Sequence, residues 1–128
     1  PKRNFDLGDP YQCYCQKTTR LVAEKLNLKE NEYMTTFQSR FGPAEWLKPY
    51  TSDTMEELPE KGIKNILVVA PAFSVDCLET IEEIDQENKE IFLTAGGEHF
   101  TYVPCLNDSD GQVNFLKQLI DKHSSILR

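Results

Sequence analysis

The chain has 128 residues, a hydrophobic content of 39% and a formal net charge of −7. These values suit a single globular domain. The acidic balance argues against a nucleic-acid partner, because a protein that binds a polyanion presents a basic face. No apolar run approaches the roughly 20 residues that a membrane-spanning helix needs.

The first half of the chain predicts two helices separated by a strand. Residues 9–27 have helical apolar spacing and a favourable first turn. Residues 33–42 form a β-prone run that stops at a Gly-Pro pair, so we expect a strand there. Residues 44–50 then predict a short turn of helix, and residues 51–62 predict a second full helix.

The second half predicts strands and helices in alternation. Residues 64–73 are an apolar run of the kind that a parallel sheet buries on both faces. We expect a helix over 75–94, a strand over 99–107 and a last helix over 108–127. This alternation predicts an α/β fold, a three-layer sandwich with helices on both faces of a parallel sheet.

Three segments follow the predicted strands and therefore share one rim of the sheet. They are residues 38–46, 71–79 and 104–110. Ligands of open parallel sheets bind at this rim, outside the carboxyl ends of the strands. The chain contains neither a G-x-G-x-x-G nor a P-loop pattern, so we do not expect a nucleotide or dinucleotide at this rim.

The helix predicted over 75–94 carries seven carboxylates in fifteen positions. Five of them step by three or four residues and form one stripe: Asp76, Glu79, Glu83, Glu87 and Glu90. Like charges at this spacing repel each other, although the helix dipole stabilises the first two. The stripe is either a solvated acidic face or a row of oxygen ligands along which a divalent cation moves inward from solvent.

The opposite side of this helix is expected to face the core. Its apolar members are Leu78, Ile81, Ile84, Ile91 and Phe92.

The single tryptophan, Trp46, lies in a loop at the same rim. It is either a core anchor or an aromatic wall for a large planar ligand. Arg40 is placed to pair with an acidic group of a ligand or with a carboxylate of the protein itself. His99 begins a predicted strand and His123 lies in the last helix, and we expect neither to take part in chemistry.

The four cysteines predict reduced thiols rather than a metal cluster. Cys13 and Cys15 are two residues apart in a predicted helix and therefore point away from each other. Cys77 and Cys105 complete the set, and the spacing of a four-cysteine cluster is absent. Reduced thiols indicate a cytoplasmic location.

Four stretches together resemble the bacterial type of ferrochelatase. They are "GDPY" at 8–11, "FQSRFGPAEWL" at 37–47, "PAFSVDCLETIEEI" at 71–84 and "AGGEHFTYVPCLN" at 95–107. The resemblance implies insertion of Fe²⁺ into protoporphyrin IX to give protohaem. It also implies an enzyme of two Rossmann-like halves with the porphyrin between them, of which residues 1–128 match the C-terminal half.

The resemblance assigns roles residue by residue. Glu79 matches the catalytic glutamate, which is also a metal ligand. Further carboxylates that bind and guide metal or carry protons are matched by Asp76, Glu83 and Glu87. The substrate pocket is matched by Trp46, Ser39 and Arg40. It also implies a π-type turn in the acidic helix. We expect the clustered carboxylates to raise each other's pKa.

The resemblance sets further expectations about cofactors and partners. Fe²⁺ is a substrate, no cofactor is bound permanently, and we expect no [2Fe–2S] cluster because no cysteine follows Cys105. The partners implied are protoporphyrin IX and the N-terminal half of the same enzyme, and peripheral membrane contact stays open. The family's catalytic histidine does not match His99 or His123, so we expect the chain to be inactive alone.

Two other functions stay open at this point. One is a non-catalytic domain that binds porphyrin or haem. The other is a related chelatase that uses Co²⁺ or Ni²⁺, because carboxylates select poorly among first-row metals.

Overall fold

A computed structural model of the chain describes residues 1–124. The elements, in chain order, are α1 (Lys2–Asp6), α2 (Tyr11–Leu26), α3 (Thr51–Glu60), β1 (Asn65–Val69), a π-helix (Glu79–Asn88), α4 (Lys89–Thr94), β2 (His99–Val103) and α5 (Asp110–Ser124).

The sheet within these residues has two parallel strands, β1 and β2, with Asn65 opposite His99 and Val69 opposite Val103. A crossover through helical segments joins them, as the α/β prediction requires. Both strands are shorter than predicted. Ala70 starts a turn that brings its carbonyl to the Phe73 N–H at 3.0 Å, and Pro104, which has no N–H to donate, follows β2 directly.

The strand predicted over 33–42 is wrong for the described structure. Only Phe37 takes part in β pairing, as an isolated parallel bridge to Tyr50. Ser39 has a left-handed backbone with φ of 62° and Gly42 one with φ of 70°, so the chain turns away soon after Phe37. Residue propensity predicted the extended start of this segment but not the two turns that end it.

The predicted helices have mixed outcomes. Helices α2 and α3 confirm the predictions over 9–27 and 51–62, and α5 confirms 108–124, while 125–127 lie outside the described residues. The turn of helix predicted over 44–50 is wrong, because this segment is irregular. Pro49 explains this result, since a residue that precedes proline is disfavoured in the helical conformation. Helix α1 was not predicted.

The acidic helix is wound as a π-helix over ten residues, Glu79–Asn88, before α4 continues it. Hydrogen bonds from residue i to i+5 widen the helix, so residues four apart lie more nearly in line than in an α-helix. Its buried residues accordingly step by four: Thr80, Ile84 and Asn88. The expectation that Leu78 and Ile81 face the core is wrong, since they are 66% and 49% exposed.

The core lies between α3, the helical segment and one face of the sheet. Its buried members are Met55, Ile84, Phe92 and Phe100. The Phe92 and Phe100 rings lie 6.1 Å apart at an angle of 56°, a tilted arrangement that aromatic pairs prefer. This packing holds the π-helix against β2 and fixes the position of its carboxylates.

The other face of the sheet is open. Leu67 and Val69 of β1 are 65% and 51% exposed, so the described residues do not bury both faces as predicted. The accessible surface of 9634 Å² exceeds the roughly 6900 Å² expected for a compact protein of 14.7 kDa. Helices α2 and α5 bury only Ala23 and Gln112. Apolar side chains on these elements are therefore exposed to solvent in the described structure.

Gly97 offers a test of the core packing. A Cβ at this position would overlap the Phe92 ring, so Gly97→Ala should destabilise the full-length protein by about 1–3 kcal/mol. Gly111 is the control, because a Cβ there meets nothing within 4 Å and the residue lies in α5. Thermal unfolding should show a lower midpoint for Gly97→Ala and no decrease for Gly111→Ala. Equal midpoints for the two variants would contradict this packing.

Candidate functional site

Two neighbouring cavities lie at the carboxyl end of β1. The larger, of about 980 Å³, is lined by aromatic side chains and by the segment that follows β1. The smaller, of about 350 Å³, is lined by the carboxylates Glu82, Glu83 and Glu87 and by Asn88. Residues 37–40 line both cavities. An apolar cavity of the size that holds a cofactor-sized ligand therefore adjoins an acidic one.

The three residues predicted to bind substrate line the larger cavity together: Trp46, Ser39 and Arg40. Trp46 is half-buried and is not among the buried core residues. Its indole N–H donates a hydrogen bond of 3.1 Å to the Phe41 carbonyl, which fixes the ring at the cavity wall. Of the two roles considered for Trp46, the cavity wall is the one that this placement favours.

Arg40 is held by protein groups rather than left free. Its guanidinium lies 4.2 Å from the centroid of the Tyr50 ring and 3.8 Å from the Asp53 carboxylate. Both charged side chains are about half exposed, so the ion pair is weak. The stacking on Tyr50 orients the guanidinium at the wall that separates the two cavities.

Ser39 connects the Trp46 loop to the acidic helix. Its hydroxyl donates a hydrogen bond of 2.5 Å to the Glu83 carboxylate. The neighbouring amide of Gln38 donates to the Glu79 backbone carbonyl at 2.9 Å and approaches the Glu83 carboxylate at 3.4 Å. The left-handed backbone of Ser39 directs this contact, and non-glycine residues in that conformation cluster at functional sites.

The carboxylates of the stripe become more exposed along the helix. Glu79 and Glu83 are half-buried, whereas Glu87 and Glu90 are exposed. Within residues 1–124 none of them forms an ion pair with a basic side chain, because Lys89 pairs with Asp85 at 3.4 Å instead. Uncompensated negative charge therefore extends from the cavity to solvent.

Glu79 is ionised more readily than predicted. A hydrogen bond from the Cys77 thiol, together with a backbone hydrogen bond, lowers the pKa of the Glu79 carboxyl below its ordinary value. The expectation that clustering raises the pKa is therefore wrong for this residue. An ionised carboxylate can accept a proton or bind a hard cation at neutral pH.

Asp76 differs from the other predicted ligands, because its carboxylate is already occupied. It accepts hydrogen bonds from the Tyr102 hydroxyl at 2.7 Å, the Asn107 amide at 2.7 Å, the Thr80 hydroxyl at 3.0 Å and the Cys105 N–H at 3.3 Å. The Asn107 and Tyr102 donors hold the pKa of the Asp76 carboxyl far below its ordinary value. Glu83 and Glu87 line the smaller cavity, whereas Asp76 and Glu79 line neither cavity.

The described residues hold no preformed metal site. No group of three His, Cys, Asp or Glu side chains that could hold an ion is present within residues 1–124. The carboxylates Glu79, Glu83 and Glu87 therefore form a row rather than a closed coordination shell. The four cysteines are free thiols, and His99 lies at the start of β2, away from the carboxyl end of the sheet.

Several contacts at this site were not predicted from the sequence. Gln38 and Tyr50 support the Trp46 loop, and Tyr102 and Asn107 surround Asp76. Gln38 and Asn107 lie in rim segments that the sequence identified. Their partners could not be chosen, because each contact joins residues far apart along the chain.

None of the helices within residues 1–124 combines the length and the apolar character that crossing a bilayer requires.

A model of the family "Ferrochelatase" matches residues 1–124 of the chain. Three curated relatives illustrate the similarity. The ferrochelatase of Hydrogenovibrio crunogenus is 60% identical over 120 residues, which are 94% of this chain and 32% of that protein. The ferrochelatase of Marinobacter nauticus is 59% identical over 94% of this chain and 33% of its own length.

The third relative, ferrochelatase 2 of Shewanella oneidensis, is 57% identical over 94% of this chain and 37% of its own length. The chain thus spans about a third of the length of the curated relatives that it matches.

Proposed function

The chain belongs to the ferrochelatase family, and we propose that the protein containing it inserts Fe²⁺ into protoporphyrin IX, with release of two protons, to give protohaem. This is a lyase reaction of haem biosynthesis. The observation that carries the proposal is the acidic row of the π-helix, which is hydrogen-bonded through Ser39 to the Trp46 loop of a cavity of about 980 Å³.

Glu79 is proposed as the catalytic residue and as a metal ligand. Metallation requires removal of two pyrrole protons and delivery of a partly dehydrated cation. The lowered pKa of Glu79 keeps its carboxylate charged over a wider pH range, which supports the metal-ligand role, although it makes the carboxylate a weaker proton acceptor. Gln38 lines both cavities, and its side-chain amide donates a hydrogen bond to the Glu79 backbone carbonyl. This contact holds Glu79 close to the two cavities.

Glu83 and Glu87 are proposed as the outer part of the metal path. Both line the smaller cavity, and exposure increases from Glu83 to Glu87. A hydrated ion that enters at Glu87 can exchange water for carboxylate oxygen in steps. A path of this kind needs weak ligands, because the cation must leave each one to move on. A row of carboxylates without a closed coordination shell therefore suits transport of the cation better than its storage.

Trp46, Ser39 and Arg40 are proposed to bind the porphyrin. The ring of Trp46 supplies an apolar face, and Arg40 supplies a cation for an acidic substituent. Trp46 is the only tryptophan of the chain, so its fluorescence reports this contact directly. We expect protoporphyrin IX to quench Trp46 emission in the chain.

A replacement series quantifies the contact. In the full-length protein, Trp46→Ala should raise the KM for porphyrin roughly 3–10-fold, because an aromatic contact contributes about 0.5–1.5 kcal/mol beyond its area. Trp46→Phe is the control that keeps an aromatic ring and should stay near the wild-type KM. An unchanged KM in Trp46→Ala would place the porphyrin elsewhere.

The chain is proposed to be the C-terminal half of a two-domain enzyme and to be inactive alone. The relatives are about three times longer than the matched region, and the face of β1 with Leu67 and Val69 is exposed. Apolar strand faces are covered in α/β proteins. The N-terminal half is therefore the partner that we place on this surface.

Iron acts as substrate, and neither a permanent cofactor nor a [2Fe–2S] cluster is part of the proposal. Free thiols support a cytoplasmic location, with peripheral membrane contact left to experiment.

The activity is tested by metal insertion with the full-length protein, with porphyrin fluorescence as the signal. Insertion of Zn²⁺ or Fe²⁺ supports the proposal. Porphyrin binding without insertion indicates a binding domain, and a clear preference for Co²⁺ or Ni²⁺ indicates a related chelatase.

A further inference from the structure

Asp76 joins the ends of both strands to the start of the π-helix. Its carboxylate accepts hydrogen bonds from the Tyr102 hydroxyl of β2 and from Asn107 in the loop that follows. Thr80, fully buried in the first turn of the π-helix, donates to the same carboxylate. Asp76 therefore lies at the centre of a contact between β2, the loop that follows β2 and the start of the π-helix. Glu79 is three residues further along the chain.

The pairing with Asn107 is reciprocal. The Asn107 amide donates to the Asp76 carboxylate at 2.7 Å, and the Asp76 backbone N–H donates to the Asn107 carbonyl oxygen at 2.8 Å. The Asn107 backbone N–H in turn donates to the Ser74 carbonyl at 2.9 Å. Asn107 has a left-handed backbone with φ of 49°, which Asn and Asp tolerate better than most residues.

The number of donors argues against metal binding at Asp76. A carboxylate offers about four acceptor sites, and Asp76 already accepts four hydrogen bonds. Three of these donors share Oδ1 and the Asn107 amide binds Oδ2, so a cation could bind without displacing a donor only at the remaining lone pair of Oδ2. Glu83, in contrast, lines the smaller cavity, and the Glu79 backbone carbonyl accepts a hydrogen bond from Gln38, which lines both cavities.

We propose that Asp76 is a positioning residue: it fixes the start of the π-helix against Tyr102 and Asn107, and so sets the place of Glu79, rather than binding metal itself. The kinetic part of this inference rests on the proposed function. The geometric part does not, because it concerns contacts among residues of this chain.

An exchange of the two partners tests the proposal in the full-length protein. Asp76→Asn alone places two amide groups against each other, and Glu79 should shift enough to lower kcat by about 10²-fold, with an unchanged KM for metal. The double variant Asp76→Asn with Asn107→Asp reverses the direction of the hydrogen bond and keeps the backbone contact. It should recover kcat to within a few fold of wild type, although position 76 no longer carries a charge.

A second readout does not depend on activity. Cys77 and Cys105 are half-buried beside Asp76, so their reaction with a maleimide, located by peptide mass spectrometry, reports whether this contact is closed. Asp76→Asn should raise the labelling of both cysteines, and the double variant should return it to the wild-type level. Cys13 is exposed and serves as the control that labels equally in all three proteins.

Three outcomes separate the possible roles. Recovery of both kcat and thiol protection in the double variant supports the proposal. A raised KM for metal that the double variant does not recover would make Asp76 a metal ligand and overturn it. Unchanged kcat per folded molecule in Asp76→Asn would leave only a role in stability and would also overturn it. An inactive wild-type protein would refute the proposed function, while the labelling would still decide the geometry.

Discussion

Replacement of Glu79 by Gln in the full-length protein should lower the rate of metal insertion by about 10²–10⁴-fold, the usual contribution of a positioned acid or base. The substitution keeps the shape of the side chain but removes the charge that binds a cation and accepts a proton. The KM for porphyrin should change little, because the residues proposed to bind the ring lie on another segment. Porphyrin fluorescence during Zn²⁺ insertion measures the rate.

Glu90→Gln is the matched control for this experiment. Glu90 belongs to the same stripe but is exposed and lies on α4, beyond the π-helix, whereas Glu79 is half-buried. It should keep a rate close to that of the wild type. If Glu79→Gln and Glu90→Gln were equally active, the assignment of the reacting carboxylate to Glu79 would be wrong.

The second large effect concerns the isolated chain, which should show no measurable metal insertion. The proposed active site lies between two halves, and the chain leaves one face of its sheet uncovered. Production of the upstream half as a separate chain in the same cells should restore insertion, because burial of the apolar face drives reassembly. Activity is measured on the co-purified complex.

A pair of surface variants locates the contact between the halves. Leu67→Lys places a charge on the open face of β1 and should prevent recovery of activity. Glu56→Lys also changes an exposed residue, but it lies on α3 and should permit recovery. Full activity of the isolated chain, or recovery with Leu67→Lys, would contradict the proposed assembly.

The order of the main elements could be predicted from residue patterns. Helices α2, α3 and α5 and the parallel strands β1 and β2 follow from local spacing and from the apolar run at 64–73. The strand predicted over 33–42 could not be corrected in this way. Its end depends on the left-handed backbone of Ser39, which is stabilised by a contact with Glu83, 44 residues further along.

The winding of the acidic helix shows the limit of periodicity arguments. Assuming an α-helix placed Leu78 and Ile81 in the core, whereas the π-helix buries Thr80 and Asn88 instead. The carboxylates were less affected, because Glu79, Glu83 and Glu87 step by four and stay in line in the wider helix. The resemblance to relatives, rather than the residue pattern, predicted the π-type winding.

The roles of individual carboxylates also depend on contacts that the sequence does not display. Asp76 and Glu79 are equivalent in a list of acidic residues three apart. In the structure, four donors surround the Asp76 carboxylate, whereas a hydrogen bond from the Cys77 thiol lowers the pKa of Glu79. The first difference comes from folding of the loops after β1 and β2, which brings residues 74–80 and 102–107 together. The second is a local contact between residues two apart along the chain.

The position of a bound cation tests the central claim most directly. Anomalous scattering from a crystal of the full-length protein, with porphyrin bound and Mn²⁺ added, would give the position of the metal. Mn²⁺ is chosen because it suits carboxylate ligands. The account predicts a metal peak at the Glu79 or Glu83 carboxylate, with the porphyrin ring against Trp46. A metal bound away from the π-helix, or a ring that does not contact the Trp46 loop, would contradict it.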